Sequence, residues 1–177
     1  ACSVFAVDPD RGTLTKLQTQ SCDGRNPVHL ALDPLERHLI VSNHLSGTLV
    51  CLPVRDDGTL APVAQRVALP GTPGPHRHEQ PFSKPHFNPF DPSGRFVVVP
   101  DKGLDRIFVF RFEHGRLEPA TPPHVDTREG AGPRHVAFHP SAPWLYAVNE
   151  LDSTVTAYRF DVTTGALAPL QWAALLP

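Results

Sequence analysis

The sequence predicts an all-β fold that is built from copies of one four-stranded antiparallel unit. Short apolar runs alternate with turns rich in Pro, Asp and Gly, a pattern typical of strands. No stretch combines a 3.6-residue apolar periodicity with helix caps. In addition, the segment from Gly130 to Tyr158 has two earlier counterparts in the chain. Together these observations favour a repeated all-β architecture.

The copies align at several features that recur in the same order. Each copy starts at a proline, continues through two apolar runs and a third alternating run, and closes with Gly-x-Leu. The starting prolines are Pro27, Pro85 and Pro133, the second apolar runs end at Asn43, Asp101 and Asn149, and the closing glycines are Gly58, Gly115 and Gly165. Four short strands in roughly 45–50 residues are typical of a β-propeller blade.

We therefore predict one partial β-propeller domain over residues 1–177. Residues 1–20 are the remnant of one blade, and further blades span about 27–69, 85–125 and 133–172. About three and a half blades are thus expected. The sequence holds no methionine and opens inside a repeat, so we expect it to be part of a longer chain.

The individual strands follow from alternating apolar residues and from turn dipeptides. Asp-Pro and Asp-Gly supply the backbone angles that turns require. In the first part of the chain we predict strands at Cys2–Val7, Leu14–Gln18, Val28–Leu32, His38–Ser42 and Thr48–Val54, with turns at Asp8–Gly12, Asp33–Arg37 and Arg55–Gly58. The corresponding later strands are Val97–Asp101, Asp105–Phe112, Leu145–Asn149 and Ser153–Phe160.

One long irregular connection, Pro70–Pro85, interrupts this regular spacing. Long ordered loops often line or cover a functional site. This loop contains His76, Arg77, His78 and Glu79. A His-x-His pair alone is weak evidence for a metal site, so we expect these residues to be solvated polar side chains of a loop.

Composition limits the kinds of partner. The formal net charge is −2, which gives no strong attraction to nucleic acid or to an anionic membrane, and no apolar run is long enough to span a bilayer. Cys2, Cys22 and Cys51 are odd in number and lack metal or disulfide spacing. We expect small core or surface thiols in a reducing compartment, and hence a cytoplasmic location.

Antiparallel pairing predicts where polar side chains meet. The start of the first strand of a blade lies beside the end of the second, which brings Arg134 close to Asn149 and Glu150. His86 and Asp101 hold the equivalent places one blade earlier. These groups should gather at one end of the central channel, where a propeller offers a concave pocket.

The repeat alignment also separates scaffold positions from variable ones. Val28, His86 and Arg134 differ at one aligned position, and His44, Lys102 and Glu150 differ at another. Such variation indicates either local function or rim positions that tolerate any side chain, with Arg134 and Glu150 forming an ordinary structural ion pair. The pattern alone leaves both possibilities open. His135 follows Arg134 and should alternate to the opposite side of the strand, where we expect a packed or hydrogen-bonded scaffold histidine.

The chain resembles the seven-bladed propeller lactonase family, which includes bacterial 6-phosphogluconolactonases and the fungal carboxymuconate cyclase. The motifs that carry the resemblance are Lys84-Pro85-His86, the run from Asp91 to Arg106, Gly130-Ala131-Gly132-Pro133-Arg134-His135 and Asn149-Glu150-Leu151. The resemblance implies that His86, Arg134 and Glu150 are catalytic, and Asp101, Asn149 and His135 are expected to bind substrate. A further arginine that the cyclase uses would lie beyond residue 177.

The resemblance implies hydrolysis of a sugar-phosphate lactone such as 6-phosphogluconolactone. Glu150 or His86 would accept a proton from water, and Arg134 would hold an oxyanion, carboxylate or phosphate. No Gly-x-Ser-x-Gly motif is present, which favours direct attack by water. We expect no metal and no cofactor, a small lactone or carboxylate as the partner, no nucleic acid or membrane partner, and leave homo-oligomer formation open.

Two alternative functions remain at this point. A lactonizing isomerase of the carboxymuconate cyclase kind would use the same three residues to add a carboxylate across a diene. A non-catalytic propeller would bind a protein or metabolite, since a fold does not fix a function.

Overall fold

The computed structural model describes residues 1–175, and every regular element in this range is a β-strand. The N-terminal ribbon pairs β1 (Cys2–Asp8) with β2 (Thr13–Gln20). Blade 1 contains β3 (Pro27–Leu32), β4 (His38–Asn43), β5 (Thr48–Pro53) and β6 (Gln65–Ala68). Blade 2 contains β7 (Phe96–Asp101), β8 (Arg106–Glu113) and β9 (Arg116–Asp126). Blade 3 contains β10 (Pro133–Phe138), β11 (Trp144–Asn149), β12 (Thr154–Phe160) and β13 (Leu167–Ala174).

Within each sheet the strands pair antiparallel in chain order, so each blade is a meander. The predicted all-β fold of repeated antiparallel units is confirmed. Residues 1–175 contain no helix that is long and apolar enough to cross a membrane.

Blade 2 differs from its neighbours in its innermost strand. Instead of a regular strand, the segment before β7 makes only two isolated bridges, Pro85 to Asp101 and Phe90 to Val97. Pro89 stands where blades 1 and 3 carry an alanine, and proline has no N–H to donate to the ladder. Its carbonyl still accepts a bond from the Val98 N–H at 3.0 Å, which keeps the segment beside β7.

The blades stack face to face, and alternate residues of β7 serve two interfaces. On β7, Phe96 and Val98 belong to the core shared with blade 3, whereas Val97 and Val99 belong to the core shared with blade 1. All four side chains are fully buried. A strand packed on both faces therefore appears in the sequence as a continuous apolar run.

The outer faces of the first and last sheets expose apolar side chains. On the N-terminal ribbon these include Val7 and Leu14, and on β13 they include Leu170 and Trp172. The thiols lie inside: all three cysteines are buried, and Cys2 Sγ lies 3.1 Å from Cys22 Sγ.

Candidate active site

Arg134 and Glu150 meet at the inner end of blade 3. Pro133, the first residue of β10, pairs with Asn149, the last residue of β11, so the residues that follow them are neighbours. The Arg134 Nε atom lies 3.1 Å from Glu150 Oε2, and both side chains remain partly exposed. Antiparallel pairing predicts this close approach of Arg134 to Glu150.

His86 reaches the same point from blade 2. Arg134 Nε donates a hydrogen bond to His86 Nε2 at 3.1 Å, so the three residues predicted to be catalytic form one cluster across the boundary between two blades. Burial lowers the pKa of His86 to about 4, and the positive charge of Arg134 acts in the same direction. His86 is therefore neutral near pH 7.

The hydrogen bonds fix the tautomers in this cluster. Arginine only donates, so His86 Nε2 must be an acceptor and the ring proton resides on Nδ1. His86 Nδ1 lies 3.2 Å from His135 Nε2, which makes His135 Nε2 the acceptor of that bond. A polar chain thus runs from Arg134 through His86 to His135.

The expectation that His135 points away from Arg134 is wrong. The β10–β11 register shifts between Pro133 and His135, which leaves Arg134 unpaired at a bulge. A bulge breaks the alternation of side chains and often redirects a residue beside a functional site. Arg134 and His135 consequently both contact His86. Blade 1 has the same shift between Pro27 and His29.

Lys102 was not among the predicted site residues, yet it belongs to the cluster. Its Nζ lies 2.9 Å from Glu150 Oε1 and 2.8 Å from Glu79 Oε2. Partial burial would raise the pKa of Glu150, but the hydrogen bond from Lys102 and the charges of Lys102 and Arg134 outweigh it and lower that pKa. Glu150 is therefore a carboxylate near neutral pH.

Asp101 and Asn149 are part of the scaffold around the site. The fully buried carboxylate of Asp101 accepts bonds from the Ser83 hydroxyl and from three backbone N–H groups of the adjacent turns. Burial raises its pKa to about 6, and these hydrogen bonds oppose the rise. Asn149 is buried and donates to the hydroxyls of Thr154 and Thr156. Neither side chain is open to a ligand, so the expected direct contact with substrate does not fit this geometry.

Asp105 fixes the loop that leads into Arg134. Its carboxylate accepts bonds from the N–H groups of Gly130 and Gly132 at 2.7 and 2.8 Å. Gly132 has a φ of +63°, and a Cβ there would lie 2.6 Å from Leu151 Cγ. Its carbonyl accepts a bond from the Glu150 N–H at 2.9 Å. Glycine at this position therefore allows the loops on either side of the site to approach each other.

The histidines form a small aromatic cluster beside these charges. The His86 ring centroid lies 5.3 Å from that of His44 and 5.0 Å from that of His135. Burial is the main cause that lowers the pKa of His44. The repeat alignment could have identified both His44 and Lys102, because they occupy the position that aligns with Glu150.

Within residues 1–175, no group of three or more His, Cys, Asp or Glu side chains has a metal-binding arrangement. His76 Nδ1 instead accepts a bond from the Glu79 N–H at 3.0 Å. A groove of about 470 Å³ lies between the outer strands of blades 1 and 2, lined by residues such as Val67, Phe108 and Pro119. None of the candidate site residues lines this groove.

The chain is similar in sequence to bacterial 6-phosphogluconolactonases. The chain is 32% identical over 176 residues to the 6-phosphogluconolactonase of Bacillus subtilis, covering 99% of this chain and 49% of that protein. It is 31% identical over 175 residues to the 6-phosphogluconolactonase of Serratia proteamaculans, covering 98% of this chain and 48% of that protein. It thus spans about half the length of these relatives.

Among solved structures, the periplasmic gluconolactonase of Pseudomonas aeruginosa superimposes with a TM-score of 0.90 at 31% identity. The match covers 99% of this chain and 49% of that one. The family model described as lactonase, 7-bladed β-propeller, matches residues 1–177. The chain therefore belongs to the seven-bladed β-propeller lactonase family.

Proposed function

We propose that this chain carries the catalytic residues of a lactonase. The observation that carries the proposal is the placement of Arg134 between His86 Nε2 and Glu150 Oε2, at 3.1 Å from each. Among residues 1–175, the terminal nitrogens of Arg134 donate to no acceptor, and the side chain is 43% exposed. Its planar fork is therefore available to a carboxylate, a phosphate or an oxyanion.

In the proposed reaction, water adds directly to the lactone carbonyl carbon. Glu150 Oε2 accepts a proton from that water while the terminal N–H groups of Arg134 stabilise the oxyanion. The ring C–O bond then breaks, and the leaving oxygen takes the proton from Glu150 to give a hydroxy acid. His86 Nε2 is occupied by the Arg134 Nε–H, so we assign His86 to holding the arginine fork in place rather than to the base role.

The proposed substrate is a phosphorylated sugar lactone, because the related proteins of Bacillus subtilis and Serratia proteamaculans are named 6-phosphogluconolactonases. An unphosphorylated gluconolactone is the second candidate. It is favoured by the close structural similarity to the Pseudomonas aeruginosa protein, which is named a gluconolactonase. We further propose that the reaction proceeds without a metal ion.

The test is a substrate comparison with the native full-length protein, with and without EDTA. 6-Phosphogluconolactone, glucono-δ-lactone and 3-carboxy-cis,cis-muconate are offered in turn, and the products are identified. Lactone hydrolysis that persists in EDTA and is lost in Glu150→Gln supports the proposal. Cyclisation of the muconate would favour the isomerase, and ligand binding without turnover would favour a binding module.

A further inference from the structure

Lys102 occupies an unusual position for a lysine. It follows β7 directly, and its side chain is only 8% exposed. A buried ammonium group is costly unless carboxylates pair with it. Lys102 has two such partners on different segments: Glu150 after β11 of blade 3, and Glu79 in the proline-rich loop of residues 70–85.

The two oxygens of Glu150 face different cations. Lys102 Nζ holds Oε1 at 2.9 Å, and Arg134 Nε lies 3.1 Å from Oε2. The lysine contact therefore restricts rotation of the carboxylate and keeps Oε2 on the Arg134 side. Fixing the orientation of a reacting group in this way is a large source of catalytic rate.

The loop that carries Glu79 is anchored independently of Glu79. Its neighbour Gln80 is buried and donates through Nε2 to the Lys102 carbonyl at 2.9 Å and to Asp105 Oδ1 at 2.7 Å. A Cβ on Gly103 would collide with the Phe82 carbonyl, so the loop packs directly on the turn after Lys102. Glu79 is thus presented to Lys102 by an ordered loop.

We propose that Lys102 is a positioning residue that orients the Glu150 carboxylate, and that Glu79 completes this ion-pair clamp from the proline-rich loop. The proposal rests on the proposed role of Glu150 as the base. Other charged or titratable groups also influence these carboxylates: Arg134 and His86 act on Glu150, and Lys84 and His76 act on Glu79. Partial burial lowers the pKa of Lys102, but the hydrogen bonds and charges of Glu79 and Glu150 raise it by more. Lys102 therefore stays cationic.

The experiment compares Lys102→Met, Lys102→Arg and Glu79→Gln in the native full-length protein. Lys102→Met should lower kcat/KM by about 100-fold, the size of effect expected when a reacting group is misplaced. Lys102→Arg keeps the charge and should recover most of the loss. Glu79→Gln leaves the Gln80 anchor intact and should cost at most about fivefold, because a half-exposed ion pair contributes little. Lys16→Met, on the exposed surface of the N-terminal ribbon, and Glu118→Gln, on β9, are the matched controls.

A second measurement separates positioning from stability. The titration of the Glu150 carboxyl group is followed by NMR in the wild type and in each variant. Lys102→Met should raise the pKa of Glu150, because it removes a cation in contact with the carboxylate, and Lys102→Arg should return the titration towards its wild-type position. Unchanged kcat/KM in Lys102→Met would overturn the positioning role, even if the titration shifts or the melting temperature falls. If the wild type hydrolyses no lactone, the proposed function fails, and the titration still decides whether the clamp exists.

Discussion

Arg134 of blade 3 donates its Nε–H to His86 Nε2 of blade 2 at 3.1 Å, so the candidate site forms across a boundary between blades. Each residue constrains the other. The arginine fixes the tautomer of the histidine, and the histidine fixes the direction of the arginine fork.

Glu150→Gln should reduce kcat by several orders of magnitude, because the amide keeps the size of the side chain but cannot accept the proton from water. Steady-state turnover of the lactone by the native full-length protein measures this. Glu118→Gln makes the same chemical change on exposed β9 and should leave turnover unchanged. Near-normal turnover in Glu150→Gln would remove Glu150 from the base role.

Arg134→Lys should lower kcat/KM by roughly 100- to 1000-fold, the cost of losing an oxyanion donor. Lysine retains the charge but not the planar fork, so the exchange is not conservative here. Arg128→Lys is the control, since Arg128 is exposed and pairs with Asp152 away from the cluster. Equal effects of the two substitutions would contradict the proposed role of the fork.

The pH dependence of kcat/KM should show an acid limb near pH 4 rather than near pH 6.5. Burial lowers the pKa of His86 to about 4, and the neutral ring is the form that accepts the Arg134 N–H. The pKa of Glu150, the proposed base, is also lowered from its usual value, so neither group limits activity near pH 6.5. Activity should therefore be level through neutral pH and fall as the pH drops through about 4. NMR titration of His86 provides the independent check. An inflection close to 6.5 in both measurements would show that the ring is not held in this environment.

Gly132→Ala should destabilise the protein more than Gly12→Ala does. Both glycines have a φ near +63°, so both substitutions carry the same left-handed backbone penalty. A Cβ at Gly132 would also lie 2.6 Å from Leu151 Cγ, whereas a Cβ at Gly12 meets nothing within 4 Å. The difference between the two free energies of unfolding isolates the steric contact and should be about 1–3 kcal/mol. Equal destabilisation would mean that Leu151 moves away from the added Cβ at no cost in free energy.

Oxidised glutathione should join Cys2 to Cys22 and leave Cys51 unmodified. The first two sulfurs lie 3.1 Å apart, whereas the buried Cys51 thiol donates to the Gly115 carbonyl. Two thiols would become one disulfide as one glutathione disulfide is reduced to two thiols. Burial raises the pKa of Cys2 to about 12, so the reaction should be slow near neutral pH. Thiol counting in denaturant and intact mass measure it, and three remaining free thiols would contradict it.

The sequence was most informative where one physical rule dominates. The repeated prolines and doubly packed apolar runs such as residues 96–99 predict the blades, and antiparallel pairing predicts the approach of Arg134 to Glu150. Side-chain direction was harder to predict, because the bulge at Arg134 depends on the local ladder rather than on residue type. His135 was therefore expected on the wrong side of its strand.

Other features required three-dimensional information. The role of Lys102 depends on Glu79 and Glu150, which are distant from it in sequence. The proline-rich loop brings Glu79 to Lys102, and the end of β11 in blade 3 brings Glu150. The buried positions of Asp101 and Asn149 arise from turn hydrogen bonds that no repeat alignment displays. The cytoplasmic location and the oligomeric state remain predictions.

The division of the site between blades 2 and 3 has a consequence for heat resistance. A small slip of one blade against the other would separate His86 from Arg134 while both sheets keep their hydrogen bonds. Thermal inactivation should therefore begin at a lower temperature than loss of β-structure. Activity is then a more sensitive measure than β-structure content of whether blades 2 and 3 keep their relative positions.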